Sequence, residues 1–319
     1  MRSSRREFLA TSAACAAGLL VTPALGQSSK PKKNALRICF FTDAHLPGPN
    51  THPDRLPNDR LHHQERVQHA FDKANSFQPH AFVFGGDNVF ALDQDNTPEN
   101  AHAQCDNWKK VVDKNVRVSH HSVIGNHDIW TSAPDDNRAL ARETFQMPAN
   151  YYTWKMSDWK FVMLDVFTKQ GGIDDQQWAW LEQELSKPED KEPVCIVSHA
   201  PLMGLTITVD GGGVGGRDFR SFFYRFPQVK LALSGHNHMV DFCRIDRVTY
   251  ICGGAVSAGW WEGDYQHFAP VFLIVDLFPD GKFESHEVYW ELTNPHPHNA
   301  QLFPPEKHLD QDHRPKTEP

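Results

Sequence analysis

Short apolar runs alternate with polar, chemistry-bearing clusters along this chain, and that rhythm predicts most of its elements. Ala35–Thr42, His80–Phe84, Val116–Ile124, Val194–Ser198 and Val229–Leu233 are apolar runs of strand length. Runs of this kind suit strands covered on both faces. Between them, Glu65–Phe77 carries Val67, Ala70, Phe71 and Ala74 at helical spacing, and helices are also predicted over Glu99–Asp113 and Asp174–Leu185. Asp174 and Asp175 are suited to cap the last of these, because a carboxylate can accept from free N–H groups of the first turn. Tyr151–Trp154 with Trp159–Asp165, Met239–Ile245 with Val248–Cys252, and Pro270–Asp276 with Lys282–Glu291 read as antiparallel pairs, the last closing around Pro279-Asp280-Gly281. Leu46–His63 and the Gly-rich Asp210–Gly216 read as loops. The expected fold is α/β, with two mixed sheets packed face to face and helices outside.

The N-terminus interrupts this pattern. Ser4-Arg5-Arg6-Glu7-Phe8-Leu9 precedes an Ala-rich apolar run to Val21 and a small-residue site, Ala24-Leu25-Gly26. This resembles a twin-arginine signal peptide cleaved after residue 26. The expected organisation is a signal at 1–26, a Lys-rich linker at 27–34, one domain at 35–291 and a Pro-rich tail at 292–319, with the domain exported to the periplasm and no stable membrane insertion after cleavage. Cleavage would remove three arginines and one glutamate, taking the net charge from −8 to −10. Such a surface disfavours a nucleic-acid polymer as partner, because counterion release needs clustered cations. A small anionic substrate would need local positive charge. Cys39, Cys105, Cys195, Cys243 and Cys252 lack CxxC spacing and are expected as thiols. Cys243 and Cys252 flank a hairpin, but counted out from Asp246-Arg247 they are not opposite one another, and their bonding is left open.

The chemistry collects where the predicted strands end. Asp43 and His45 follow the first, Asp87 the second, Asn126 and His127 the third, His199 the fourth, and His236 and His238 the fifth. In open α/β sheets that edge is where sites are built. Carboxylates, imidazoles and an amide oxygen suit Mn, Fe or Zn. Residues two apart at a strand end can leave on one face and reach one ion, which fits Asp43 with His45 and His236 with His238. His127 neighbours Asn126, points elsewhere, and is free to act as an acid. Each motif alone is weak; the ordered set, each after an apolar strand, is specific.

The set Asp43-x-His45, Gly86-Asp87, Gly125-Asn126-His127-Asp128, His199 and Gly235-His236-x-His238 resembles the calcineurin-like metallophosphoesterase superfamily over residues 36–240. The resemblance implies a four-layer α-β-β-α sandwich and two divalent transition-metal ions. It would place Asp43, His45, Asp87 and His238 on one ion, and Asp87, Asn126, His199 and His236 on the other, with Asp87 bridging. His127 would contact a substrate oxygen and Asp128 would orient it. Ions about 3.5–4 Å apart lower the pKa of a shared water toward neutrality, which implies in-line attack of hydroxide on phosphorus. Purple acid phosphatases, one branch, carry Gly-Asp-x-x-Tyr and lack the first-motif His. Here Phe90 stands at the Tyr position and His45 is present, which is closer to the bacterial cyclic-nucleotide phosphodiesterase-like branch.

The expected function is therefore a metal-dependent phosphoric ester hydrolase acting on a small phosphate ester, a diester before a monoester. A phosphomonoesterase with the same site and a noncatalytic metal- or phosphate-binding envelope protein are the rivals. Other features carry weaker expectations. Asp210–Gly216 lacks the Lys-Ser/Thr ending of a P-loop and reads as a surface loop or a lid. Arg217 could reach a phosphate; His52, His62 and His63 could line an entrance; Trp260-Trp261 reads as core or as the floor of a pocket.

Overall fold

The computed structural model describes residues 30–48, 60–94, 97–134, 136–168, 172–187 and 191–291. The expected signal peptide, the expected tail, most of the expected linker and His52 lie outside the described residues. In chain order the strands are β1 (Leu36–Phe41), β2 (Ala81–Phe84), β3 (Ser119–Ser122), β4 (Tyr152–Met156), β5 (Trp159–Met163), β6 (Val194–Val197), β7 (Val229–Ser234), β8 (Val240–Ile245), β9 (Val248–Gly253), β10 (Val271–Leu277) and β11 (Phe283–Tyr289). The helices are α1 (Arg60–Ser76), α2 (Pro98–Asn115), α3 (Ala139–Thr144), α4 (Asp175–Leu185), α5 (Thr206–Asp210) and α6 (Phe219–Tyr224).

Two mixed sheets result. One has the order β11-β10-β1-β2-β3, the other β4-β5-β6-β7-β9-β8. β1, β2 and β3 run parallel, as do β5, β6, β7 and β9, while β4, β8, β10 and β11 pair antiparallel with their neighbours. The continuous apolar runs have a direct explanation in side-chain alternation. In β5, Phe161 and Met163 join the core between the sheets, whereas Val162 joins the outer cluster under α4 and α6 with Leu181, Phe219 and Phe223. β6 divides the same way, with Cys195 and Val197 inside and Val194 and Ile196 outside. On the first sheet Phe41 stacks on Phe71 of α1 with centroids 4.6 Å apart, while its neighbour Phe40 lies against the backbone of Gly253 in the second sheet. Each large apolar side chain buried this way contributes about 1.5–3 kcal/mol. The result is the four-layer α-β-β-α sandwich.

Most elements lie within a few residues of their expected bounds, and Asp174 caps α4 through Gln177 N–H. The predicted strand Val116–Ile124 shortens to Ser119–Ser122, because α2 runs on through Asn115 and Val116 caps it by donating to Val112 O. β3 is the edge of its sheet, and Tyr152 covers it: the Tyr152 hydroxyl donates to Ser122 O and accepts from Ser122 N–H. The expected loop Leu46–His63 ends earlier, since α1 begins at Arg60, and His63 is buried with its ring 6.0 Å from Trp261 instead of lining an entrance. Cys39, Cys105, Cys195, Cys243 and Cys252 are free thiols; Cys243 pairs in register with Tyr250 and Cys252 with Asp241. Among the described residues no helix is long and apolar enough to cross a membrane.

Candidate metal centre

The C-terminal ends of β1, β2, β6 and β7 meet where the two sheets come together, and they carry the polar motifs with them. His199, after β6, has its Nε2 3.1 Å from Asp87 Oδ2, after β2. His238, after β7, has its Nε2 3.3 Å from Asp43 Oδ1, after β1. Each sheet therefore supplies one side of the cluster: carboxylates and His45 from the first, three histidines from the second.

The backbone at these strand ends is held in an unusual form. Asp43, His45, Asp87, His236 and His238 all have positive φ, between 40° and 71°. That region costs a non-glycine residue about 1–3 kcal/mol and persists only where surroundings over-determine it. Hydrogen bonds between the motifs supply the constraint. Asp43 N donates to Gly86 O, His45 N to Asp87 O, and His236 N to the Asp43 carboxylate at 3.0 Å. The glycines ahead of the motifs are required by close approach. A Cβ on Gly235 would lie 2.2 Å from Asp43 Oδ2, and one on Gly86, itself at φ +91°, would lie 2.6 Å from His199 Nδ1.

The expected ligands form two triads. Asp43, His45 and His238 offer ligand atoms within 4.8 Å of one another, and so do Asp87, His199 and His236. Asp87 stands between them. Its Oδ1 accepts the His127 N–H at 2.8 Å, which leaves Oδ2 facing His199 Nε2 and, at 3.7 Å, His45 Nε2. Asn126 is placed by its neighbours: a Cβ on Gly125 would strike Asp87, and the next N–H binds it. The residues fit a dinuclear cation site on three independent grounds. The Oδ1 of Asn126 is buried without a hydrogen-bond partner, a costly state for a polar atom unless something binds it. His199 Nδ1 faces Gly85 O at 2.7 Å and His238 Nδ1 faces Ala258 O, an arrangement that fixes the tautomer and turns each Nε2 lone pair inward. His45 Nε2 and His238 Nε2, finally, converge to 3.1 Å, which brings two candidate nitrogen donors to one place.

The field agrees. Burial alone would lower the proton affinity of His199, but the Asp87 and Asp43 carboxylates outweigh it and lift its pKa to about 10. Burial would likewise raise Asp43 and Asp87, yet His199, with His238 at Asp43 and His127 at Asp87, holds both below the usual carboxylate range. His45 lies well below the ordinary imidazole value, chiefly through burial. Burial and the charge of His199 bring His236 down to about 4. His45 and His236 are thus neutral imidazoles beside ionised carboxylates, as cation ligands must be, while the carboxylates that hold a proton on His199 would hold a cation in its place.

His127 stands apart from the expected ligand set. Its ring meets His45 edge-on at 5.0 Å. Its Nδ1 faces Asp93 Oδ1 at 2.9 Å, which corrects the expected pairing with Asp128. The Asp128 carboxylate accepts instead from the N–H groups of Asn88, Val89 and Gly125. It ties the second motif to the third and is fully buried. Burial and nearby Asp87 push Asp128 up to about 7. Against burial, Asp87 and Asp93 raise His127 to about 9, so it carries a proton at neutral pH. Replacing Asp93 with Asn removes a charge that raises this pKa. The alkaline fall of kcat is expected to move to lower pH, and kcat to drop about 10–100-fold, with metal content unchanged; an unmoved pH profile would remove Asp93 from this role.

Sequence reasoning missed Asp93, because nothing in Leu92-Asp93-Gln94 distinguishes it from other loop carboxylates. It also missed Phe167, whose ring lies 5.5 Å from His236 and 5.7 Å from His199. The two tryptophans part company. Trp261 is core, donating to Ala44 O and His45 O, while Trp260 lies beside His238 and His45, with centroids 4.4 and 5.6 Å away. Gly212 of the Gly-rich loop rests against the His236 ring. Arg217 turns to Asp175 and the Trp178 face and does not join the cluster.

Comparison with known proteins follows the same lines. The family profile described as calcineurin-like phosphoesterase matches residues 36–240. A probable cyclic nucleotide phosphodiesterase of Synechococcus is 26% identical over 178 residues, 54% of this chain and 65% of that protein, so the chain spans just under two thirds of its length. A 3',5'-cyclic-nucleotide phosphodiesterase of Nostoc is 22% identical over 206 residues, covering 61% of this chain and 72% of that one. Both names match the branch to which the motifs pointed. Among solved structures, a dimetal phosphatase of Danio rerio is similar over 81% of this chain and all of its own, with TM-score 0.59 at 14% identity. A purple acid phosphatase of yellow lupin is similar over 81% of this chain and 52% of its own, with TM-score 0.58 at 14% identity; at such identities the likeness concerns the fold. With the profile covering well over half of the sequence and the polar motifs gathered where the two sheets meet, this chain belongs to the calcineurin-like phosphoesterase family.

Proposed function

We propose that the chain is an exported, metal-dependent phosphodiesterase. The observation that carries the reading is the pair of donor triads meeting at Asp87, with a protonated histidine beside them. Asp43, His45, Asp87 and His238 would hold one divalent ion, and Asp87, Asn126, His199 and His236 the second. Two such ions supply positive charge for phosphate oxygens and a water that deprotonates near neutral pH. The chain's own groups do the rest. His127 keeps Nδ1 toward Asp93, so Nε2 is the atom left to give a proton to the departing ester oxygen. The buried carboxylates and Asp128 hold the motifs in register while charge moves. Preference for a diester is supported by the names of the two sequence relatives; a phosphomonoesterase would use the same groups.

The test is a panel of a cyclic nucleotide, a bis-aryl diester and simple monoesters at several loadings of Mn, Fe and Zn. Diester turnover exceeding monoester turnover is expected. The reverse would make the chain a phosphatase, and no hydrolysis of any ester would favour the noncatalytic envelope protein. Export rests on Arg5 and Arg6 in the N-terminal pattern. A fusion of residues 1–34 to a folded reporter is expected to cross the membrane, and export of the double Arg→Lys variant would contradict the twin-arginine route.

A further inference from the structure

The segment between β9 and β10 lies beyond the residues matched by the family profile, yet it is bonded to the metal centre at several points. Val256 N donates to Thr42 O, the N–H and Oγ of Ser257 both donate to Asp43 O, and Ala258 O faces His238 Nδ1. This frame carries Trp260 to the rim. The indole packs on Phe90 and Ala91, lies 4.4 Å from the His238 ring at 37°, and meets Tyr265 edge-on at 5.5 Å. It remains partly exposed. Phe90 thus acquires a role, as the support that fixes the indole.

The position of His127 says which part of a substrate would meet this ring. His45 has His127 5.0 Å away and Trp260 5.6 Å away. With a phosphate over the two triads and its departing oxygen at His127, the group on that oxygen would lie near His45 and within reach of Trp260. Carboxylates border this side: Asp93 beside His127, and Asp210, which accepts from the Tyr265 hydroxyl. A leaving group with further negative charge is disfavoured there, whereas a flat, uncharged ring can stack on the indole.

We propose that Trp260, braced by Phe90 and flanked by Tyr265, is a stacking platform that selects phosphate esters with an uncharged aromatic leaving group. The inference deepens the phosphoesterase reading and rests on it. The test uses the full metal-loaded chain and two readouts: kcat/KM for naphthyl against ethyl diesters, and Kd by calorimetry for phenylphosphonate against methylphosphonate. In Trp260→Leu, which keeps apolar bulk but loses the π face, the aromatic-to-aliphatic ratio is expected to fall on the order of 5–10-fold in both readouts. Trp260→Phe should hold the ratio within about 2-fold of wild type. Unchanged ratios in Trp260→Leu, with hydrolysis intact, would overturn the platform and leave the hydrolase standing. A fall in the phosphonate ratio in a protein that hydrolyses nothing would uphold the platform and sink the hydrolase. Loss of the ions in Trp260→Leu would make Trp260 a support for His238 and also overturn the proposal.

Discussion

Asp87→Asn is expected to bring bound transition metal down from close to two ions per chain to one or none, and to lower turnover on the order of 10³-fold or more. Asp87 is where the two triads meet: Oδ1 is taken by the His127 N–H, and Oδ2 faces imidazoles from both groups. Asn keeps the shape and tolerates the positive φ of this position, so the backbone stays while the charge goes. Elemental analysis of purified protein reads the first effect. Thermal melting reads it independently: an ion at 100 times its Kd stabilises the folded state by about 2.7 kcal/mol per site, and much of that gain should vanish in the variant. Wild-type protein carrying one ion or none would defeat the dinuclear assignment, and a variant retaining both would move the shared ligand elsewhere.

His127→Ala should behave in the opposite way, keeping both ions and losing about 10²–10⁴-fold in kcat. The contrast matters because His127 has a rival role. His45, Asp87 and His127 also present ligand atoms within 4.8 Å of one another, so geometry alone would allow His127 to be a ligand. One observation favours an acid: its side chain is 17% exposed where those of His45 and His199 are fully buried. A fall in metal content together with activity would reassign it to the cage. Intact metal with unchanged kcat would leave it with neither role.

Much of this protein was legible in its sequence, for identifiable reasons. Apolar runs such as Val194–Ser198 announce strands because side chains alternate between two buried faces. Asp43-x-His45 and His236-x-His238 announce ligands because spacing, order and donor chemistry are local properties. Strand β3 was overestimated because Val116 is apolar in either role, and whether it extends a strand or caps a helix is settled by the length of α2.

What only the tertiary structure decided are relations between parts distant in the chain. The choice of Asp93 over Asp128 as partner of His127 depends on how the second and third motifs pack, since Asp128 spends its oxygens on three backbone N–H groups. The left-handed backbone of five motif residues depends on hydrogen bonds from neighbouring motifs that no local propensity encodes. The separation of Trp260 from Trp261 follows from a one-residue difference in direction, which a loop without periodicity does not advertise. The sequence by itself determined which chemical groups are present and at which strand ends they stand. Folding decided which of them face one another, because the distances that matter, near 3 Å, are set by two sheets closing on each other rather than by spacing along the chain.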